Sequence, residues 1–269
     1  MKLSIITINY NNLSGLQKTI DSVIAQTFKD YEWIVIDGGS TDGSKELLEK
    51  NQSHFAYWCS EPDKGVYNAM NKGLSQAHGE YVQFLNSGDW LYEKKTIEKI
   101  FSQINNQYEI FYGDTILAYS DGWQNPIVYP DELGFYYFPY NSLCHQAIFY
   151  RRSLFDNNYF DESYTIVSDW AMNLKLLFKG ATFKHINQFI VYYDMGGISS
   201  IADPKHHNER MDAFSKYVPQ QIQIDVKKYE YNYHFSRHRK STRWIIDNAI
   251  SFSKWLDKKL SKIESKRSK

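Results

Sequence analysis

The chain has 269 residues and a mean hydropathy of -0.56, and its 31 acidic residues balance 31 lysines and arginines. This length allows one large α/β domain with an appendage, or two modest domains. No apolar run approaches the roughly 18 to 20 residues that cross a bilayer, so we expect no transmembrane helix and a cytoplasmic protein. Two cysteines are too few for a disulfide framework. We expect no nucleic-acid partner.

The first 90 residues alternate between strand-like and helix-like segments. Apolar, β-branched runs that predict strands occupy residues 3–8, 31–37, 55–59 and 81–86. Helical spacing of apolar residues follows near residues 16–24, 41–50 and 66–77. Short connections between alternating segments are typical of a mostly parallel sheet with helices on both faces. We therefore expect an α/β fold with a Rossmann-like central sheet.

Two of the predicted strands end in small, acidic turns. The run at residues 33–37 ends in Asp37, and the run at 81–85 leads into the turn at 86–89, which ends in Asp89. Open α/β sheets bind their ligands at the carboxyl ends of parallel strands, so these carboxylates should meet at one rim. A divalent cation on a diphosphate needs only one or two protein carboxylates. The pattern indicates a nucleotide and its metal ion.

Two familiar nucleotide-binding loops do not fit the sequence after the second strand. Gly38, Gly39 and Gly43 have the spacing G-G-x-x-x-G, whereas dinucleotide-binding loops have G-x-G-x-x-G. Ser44 and Lys45 invert the Lys-Ser order of a Walker loop. Hydride transfer and P-loop chemistry are therefore disfavoured.

Beyond residue 90 the alternation is less regular. The predicted elements there are a helix near 94–103, a strand from 109, strands at 146–150 and 182–193, and a helix at 169–179. No segment has the composition of a linker, a repeat or a low-complexity tract. We therefore expect one domain over residues 1–218 and a C-terminal helical appendage over residues 219–269.

The appendage is strongly basic. Residues 234–269 contain eleven lysines and arginines and three acidic residues, and eleven minus three gives a net charge of +8. Trp244, Ile250, Trp255 and Leu260 recur at roughly helical spacing, which predicts a basic amphipathic helix. Such a helix can lie on an anionic membrane surface, or it can pack its tryptophan face on the body of the protein. Both alternatives remain open.

Four segments, in this order, resemble the family 2 glycosyltransferases. They are residues 4–11 (SIITINYN), 22–27 (SVIAQT), 36–44 (IDGGSTDGS) and 84–89 (FLNSGD). The resemblance extends over about residues 3–200. It implies the GT-A fold, with a nucleotide-binding half at 1–90 and an acceptor-binding half at 91–218.

The resemblance also implies an activity. It implies an inverting, metal-dependent transferase that uses Mn²⁺ or Mg²⁺ and moves a sugar from a nucleotide-diphospho-sugar, with a UDP-sugar as the expected donor. Residues 60–73 (SEPDKGVYNAMNKG) are similar to a segment of a bacterial subgroup that makes surface polysaccharides. The expected acceptor is therefore a glycan or a lipid-linked glycan. A homodimer and peripheral membrane contact through the basic tail are further expectations.

The same resemblance gives roles to individual residues of this chain. Asp37 matches the nucleoside-binding acid of the family, and Asp89 matches the metal-binding acid of its D-x-D motif. Many relatives read Asp-Ser-Asp-Asp where this chain has an asparagine and a glycine, so the metal shell has fewer carboxylates here. Nucleotide and donor binding is further implied for Ile8, Tyr10, Asp63, Lys64, Asn68, Asn86 and His145.

A transferase of this kind needs a general base, because the acceptor hydroxyl must lose a proton as it attacks the anomeric carbon. Residues 164–170 (YTIVSDW) precede an amphipathic helix and resemble the family's acidic helix-start motif. Asp169 is the expected base, partly desolvated by Trp170. The alternative is a structural acid that interacts favourably with the helix dipole. His145 has a similar alternative as a histidine of the core.

Two other functions compete with this interpretation. A sugar nucleotidyltransferase would need a glycine-rich loop with lysine or arginine after the first strand, and residues 9–12 (NYNN) lack one. In a non-catalytic nucleotide-sugar-binding or membrane-binding protein, the basic tail would be the functional segment. Such a protein would bind a nucleotide but would be indifferent to Asp169→Asn.

Overall fold

The computed structural model describes residues 1–134, 137–138, 140–197 and 204–237. The strands of this part of the chain are β1 (Leu3–Asn9), β2 (Tyr31–Asp37), β3 (Tyr57–Ser60), β4 (Tyr81–Phe84), β5 (Trp90–Leu91), β6 (Ile110–Ala118), β7 (Gln124–Ile127), β8 (Ile148–Arg151) and β9 (Phe183–Asp194). The α-helices are α1 (Leu13–Ile24), α2 (Ser44–Asn51), α3 (Val66–Ser75), α4 (Thr96–Phe101), α5 (Ser168–Phe178), α6 (Pro204–Tyr217) and α7 (Gln220–Arg237).

All of these strands belong to one mixed sheet. Its order is β3-β2-β1-β4-β8-β6-β9-β5, and β7 pairs with β6 beside β8. β1, β2, β3, β4, β6 and β9 run in one direction, while β5, β7 and β8 run against them. Six strands therefore end at the same rim, and the antiparallel β8 begins there.

The sheet lies between two apolar layers, which explains the near-continuous apolar runs of its central strands. Ile6 of β1 faces a layer built on α3, α5, α6 and α7, whereas its neighbour Ile5 faces a layer built on α1, α2 and α4. Both isoleucines have no exposed surface. The predicted α/β fold with helices on both faces is thus confirmed.

The structure differs from the predicted elements in the second half of the chain. β5 and β7 were not predicted, since one has two residues and the other contains Pro126. The strand expected from residue 146 begins instead with a 3-10 turn over His145–Ala147, and the strand itself follows as β8. α6 also lacked a clear sequence pattern. Each of these elements is fixed by its neighbours in the sheet or core instead of by its own periodicity.

The C-terminal part of the described chain packs on the body. Phe214 and Val218, around the end of α6, and Ile222 and Val226, on α7, are buried in the same apolar layer. The domain boundary between residues 218 and 219 stays a prediction. Residues 238–269, which include the expected tryptophan face of the tail, lie outside the described residues. Among the helices that are described, none is long and apolar enough to cross a membrane.

Candidate active site

The ends of β1, β2 and β3 bring three polar side chains together at the rim. The strand register places Asn9 beside Asp37, and Asp37 beside Ser60. Asn9 Nδ2 donates to Asp37 Oδ1 at 2.7 Å, and Ser60 Oγ donates to Asp37 Oδ2 at 2.6 Å. Burial raises the pKa of Asp37, but hydrogen bonds from Ser40, Ser60 and Asn9 outweigh it and leave the pKa below its ordinary value. Asp37 is therefore a buried carboxylate that is ionised at neutral pH.

A ring and a second carboxylate lie beside this buried acid. A Cβ atom on Gly38 would lie 2.6 Å from Asp63 Oδ2 and 3.2 Å from Cδ2 of the Tyr10 ring, so both side chains lie close against this glycine. Tyr10 is 66% exposed. Asp63 Oδ1 accepts a hydrogen bond from Gly65 N at 2.8 Å, which fixes the carboxylate at the start of α3. The arrangement offers a planar ring face and hydrogen-bond acceptors at one corner of the rim.

The loop between β1 and α1 joins the two acidic turns that the sequence singled out. Asn11 N donates to Ser40 Oγ at 2.8 Å, in the turn after Asp37. Asn12 Nδ2 donates to the Ser87 carbonyl at 3.1 Å, in the turn before Asp89. One short segment thus contacts both turns, and the structure places them side by side at the rim.

Asp89 is held in a nearly closed environment with 4% of its surface exposed. Its Oδ1 accepts a hydrogen bond from Asp194 N at 2.8 Å, and its Oδ2 accepts one from Gln146 Nε2 at 2.7 Å. Burial raises the pKa of Asp89 to about 7, although both hydrogen bonds act in the opposite direction. A nearby positive charge would restore the ionised form at neutral pH.

Oxygen atoms around Asp89 have the chemistry that Mg²⁺ and Mn²⁺ prefer. Asn86 Oδ1 is buried and has no hydrogen-bond partner among the described residues. A Cβ on Gly88 would lie 3.7 Å from Asp194 Oδ2, so a second carboxylate borders the same turn. The described residues hold no cluster of three or more His, Cys, Asp or Glu side chains suited to a metal. These residues fit a divalent cation whose remaining ligands come from a substrate.

Asn86 also begins a continuous hydrogen-bonded path. Its Nδ2 lies 3.1 Å from His145 Nε2, and His145 Nδ1 lies 2.8 Å from Asp169 Oδ2. Tyr67 OH donates to the other carboxylate oxygen, Asp169 Oδ1, at 3.0 Å. If the Asn86 amide donates, His145 Nε2 is the acceptor. The ring proton is then on Nδ1, which donates a hydrogen bond to Asp169 Oδ2. The path links the Asp89 turn to the first turn of α5.

Asp169 lies on α5, and its carboxylate is 17% exposed. Burial raises its pKa, but hydrogen bonds from His145, the Trp170 backbone and Tyr67 lower it more, and the net pKa is below the ordinary value. The next residue, Trp170, is 3% exposed and donates from Nε1 to the Phe138 carbonyl at 2.9 Å. The guanidinium of Arg210 lies 4.4 Å from the centre of the Trp170 ring. The Asp169 carboxylate is therefore ionised and mostly buried.

The segment before Asp169 is anchored from two other helices. The hydroxyl of Tyr67, on α3, also lies 2.7 Å from the Ile166 carbonyl, so its single proton is shared between this oxygen and Asp169 Oδ1. Glu209, on α6, is 8% exposed and accepts hydrogen bonds from Thr165 N at 2.9 Å, Thr165 Oγ1 at 2.8 Å and Ile166 N at 3.0 Å. These contacts fix the position at which α5 begins.

Three of the predicted donor-binding residues have other contacts. The Ile8 side chain is 8% exposed and packs in the core. Lys64 is exposed, and its backbone nitrogen donates to Asn68 Oδ1 at 3.2 Å. Asn68 Nδ2 donates to Glu162 Oε2 at 2.9 Å. Asn68 thus holds the turn before α3 against the loop that precedes α5, and roles for these three residues in donor binding stay predictions.

The sequence interpretation missed several residues of the site. Asn9 and Ser60 had a signal, since each occupies the last position of a rim strand. Gln146 adjoins the predicted His145, but its contact with Asp89 depends on β8 entering the sheet beside β4. Tyr67 had no distinguishing pattern, because a tyrosine on an apolar helix face is ordinary core.

Comparison with known proteins places this geometry in context. Residues 4–177 match the family described as glycosyl transferase family 2. A PGL/p-HBAD biosynthesis glycosyltransferase of Mycobacterium bovis (strain BCG / Pasteur 1173P2) is 31% identical over 216 residues, which are 77% of this chain and 83% of that protein.

Two solved structures are similar in fold. S. aureus TarS 1-349, in complex with UDP-GlcNAc, superposes with a TM-score of 0.67 at 22% identity and covers 88% of this chain and 73% of that chain. The mannosyltransferase PcManGT from Pyrobaculum calidifontis, in complex with GDP-Man and Mn²⁺, gives a TM-score of 0.56 at 13% identity and covers 84% of this chain and 64% of that chain. At these identities the likeness establishes the fold, which is GT-A. Because the family match spans more than half of the sequence, the chain belongs to glycosyl transferase family 2, and it is a glycosyltransferase.

Proposed function

We propose that this enzyme transfers a sugar from a UDP-sugar to a glycan or lipid-linked glycan, with inversion at the anomeric carbon. The observation that carries the proposal is the hydrogen-bonded path from Asn86 through His145 to Asp169 at the rim that also holds Asp37 and Asp89. This arrangement supports one site that binds the nucleoside, the diphosphate and the acceptor, with a general base beside the acceptor.

The nucleoside is assigned to the corner that Asp37, Tyr10 and Asp63 form. The Tyr10 ring offers a face on which a base can stack, and the Asp63 carboxylate offers acceptors for the N–H groups of the base. Asp37 orders the turn after β2 through Ser40 and Ser60. TarS, whose fold this chain shares, was crystallised with UDP-GlcNAc, and this favours a uridine nucleotide.

The diphosphate is assigned to the turn that contains Asn86, Gly88 and Asp89. A divalent cation held by Asp89 would neutralise the charge that develops on the departing diphosphate. Gly88 has φ of 103°, a conformation that glycine adopts without strain, so the turn presents little bulk to the phosphates. Asn86 Oδ1 is buried and has no hydrogen-bond partner in the described chain. It is therefore available to a ligand bound at this turn.

Asp169 is assigned as the general base. Its lowered pKa keeps it ionised across the neutral range, and its small exposed fraction of 17% limits competition from bulk water. It takes the proton of the acceptor hydroxyl as that oxygen attacks the anomeric carbon from the face opposite the leaving diphosphate. The hydrogen bond to His145 Nδ1 orients the carboxylate during this transfer. A single displacement of this kind inverts the configuration.

The cellular setting follows from the same proposal. An acceptor that belongs to a surface polysaccharide would be met at the cytoplasmic face of the membrane, where nucleotide-sugars are available. The basic tail would then supply peripheral contact with anionic lipid. This contact and a homodimer stay predictions, since residues 238–269 lie outside the described chain.

Thermal-shift and hydrolysis assays test the proposal. UDP with Mn²⁺ should raise the melting temperature of the wild-type protein more than GDP, CMP or either component alone. Slow hydrolysis of the bound UDP-sugar, with water in place of the acceptor, should fall at least about 100-fold in Asp169→Asn, whereas UDP should still bind. Asp156→Asn is the matched control, because Asp156 is an exposed acid that pairs with Arg152.

Two results would contradict the proposal. Equal stabilisation by all nucleotides would remove the uridine assignment. Unchanged hydrolysis in Asp169→Asn, with product of retained configuration, would remove the base and the inverting mechanism together.

A further inference from the structure

The β6–β7 hairpin extends the sheet beyond the strands that end at the active-site rim. Ala118, at the end of β6, pairs with Asp194 on one side and with Gln124 on the other. Asp194 N is the donor to Asp89 Oδ1. Because neighbouring strands lie about 4.8 Å apart, the backbone of Gln124 is roughly 10 Å from that of Asp194. The tip of the hairpin is thus a near neighbour of the diphosphate corner.

The hairpin also borders the side of the site where His145 and Asp169 lie. β6 pairs with β8 through residues 110–112 and with β7 through residues 115–118, so β7 continues the line of β8 past its start. His145 lies in the turn that leads into β8. Tyr129 OH, just after β7, accepts a hydrogen bond from Cys144 N at 3.0 Å. The hairpin therefore lies along one side of the region, next to Asp169, where we expect the acceptor to bind.

A pair of aromatic residues lies at the tip of the β6–β7 hairpin. Trp123 is 57% exposed, and its ring centre lies 4.7 Å from that of Tyr119, which is half-buried. Gly122 turns the chain with φ of 87°, and Tyr119 N donates to the Trp123 carbonyl at 3.0 Å. Asp121 Oδ1 accepts a hydrogen bond from Trp123 N at 2.9 Å. A tight, hydrogen-bonded turn thus holds a large indole in place at the surface.

The polar residues near the indole indicate what it binds. Residues 119–128 (YSDGWQNPIV) include one carboxylate and two amides but no lysine or arginine. A sugar ring combines an apolar C–H face, which packs on an aromatic ring, with hydroxyls that bond to carboxylates and amides. An anionic membrane surface would instead require basic side chains. The composition of the hairpin therefore favours a glycan over a lipid surface.

We propose that the hairpin tip formed by Tyr119, Asp121, Trp123, Gln124 and Asn125 is a subsite for a sugar ring of the acceptor glycan, at a position removed from the reacting hydroxyl. The inference rests on the proposed function, because it names the acceptor of the same site. It adds that the acceptor carries at least one further sugar residue that this chain recognises, and that Trp123 selects for it.

A printed array of microbial glycans, followed by saturation-transfer NMR on the strongest binder, tests this subsite. The wild-type protein should retain a subset of neutral glycans, and Trp123→Ala should weaken binding of the best one about tenfold or more. Trp123→Phe should keep much of the binding. Tyr159→Ala is the control, since Tyr159 is similarly exposed, at 53%, in the loop before Phe160.

UDP binding, measured on the same preparations, separates this inference from the proposed function. Unchanged UDP binding in every variant, together with loss of glycan binding in Trp123→Ala alone, is the expected result. Retention of no glycan by the wild type, or equal retention by Trp123→Ala, would overturn the subsite while leaving the donor site intact. Trp123-dependent binding to phosphatidylglycerol vesicles would also overturn it, because the indole would then serve a lipid surface.

Discussion

Asp89→Asn should change how the stability of this enzyme depends on pH. In the folded protein, burial raises the pKa of Asp89 from 3.8 to about 7. Because the folded-state pKa lies above the unfolded one, protonation of Asp89 stabilises the fold below about pH 7, and this stabilisation is lost as the pH rises through 7. Between pH 5 and pH 8 the loss amounts to two pH units, or about 2.7 kcal/mol at about 1.36 kcal/mol per unit. Asparagine does not titrate, so the variant lacks this component.

Urea unfolding at pH 5, 6, 7 and 8 measures the effect. The free energy of unfolding of the wild type, minus that of Asp89→Asn, should fall by about 2.7 kcal/mol from pH 5 to pH 8, which corresponds to roughly 5 to 10 °C in melting temperature for a chain of this size. The absolute difference also contains the altered hydrogen bonds to Gln146 and Asp194, so the slope with pH, and not the offset, is the measure of the effect. Asp156→Asn, at an exposed position, should show no such slope.

The reasoning is refuted if the wild-type and Asp89→Asn curves run parallel between pH 5 and pH 8. A parallel course would mean that the carboxylate is already ionised in the empty site and that burial does not control it. If the slope is present, Mn²⁺ with UDP should bind the wild type more weakly below pH 7, because binding then displaces a proton from Asp89. The affinity should fall by up to about tenfold per pH unit.

Two further variants test the environment of Asp169, the proposed base. His145→Gln removes the charge-assisted donor to Asp169, so the pKa of Asp169 should rise, and the acidic limb of a pH–rate profile of donor hydrolysis should move to higher pH; an unmoved limb would contradict this. Glu209→Gln weakens the hydrogen bonds to Thr165 and Ile166, and we expect a loss of about 1 to 3 kcal/mol at pH 7. Because the pKa of Glu209 is lowered from its ordinary value of 4.5, this loss should shrink as the pH falls below 4.5, which thermal unfolding of both proteins would show.

The N-terminal half of the fold could be predicted because its signals are local. β1 and β2 are buried on both faces and so read as near-continuous apolar runs, and α1 between them carries one apolar stripe. β5 and β7 could not be predicted in this way. Two residues cannot show a period, and Pro126 argues against a strand until the edge position of β7 beside β6 makes its missing N–H harmless.

The same distinction between local signals and long-range contacts applies to the candidate site. Asp37 and Asp89 were predictable, because the carboxyl ends of parallel strands share one rim. The His145–Asp169 contact was not, since it joins the turn before an antiparallel strand to the start of a helix 24 residues later. The same holds for Asp194, whose backbone reaches Asp89 from the far end of β9 across 105 residues. Such pairs depend on the strand order of the whole sheet.

Asp37 and Asp89 look alike in the sequence, yet their surroundings give them opposite electrostatics. Hydrogen bonds from Ser40, Ser60 and Asn9 keep the pKa of Asp37 below its ordinary value, so Asp37 is ionised at neutral pH and holds the donors around it in place. Asp89 has a backbone and an amide donor, and burial prevails and raises its pKa. A carboxylate of that kind gains most from a ligand that brings positive charge. The asymmetry therefore supports the proposed placement of the nucleoside at the end of β2 and of the cation with its diphosphate at the turn after β4.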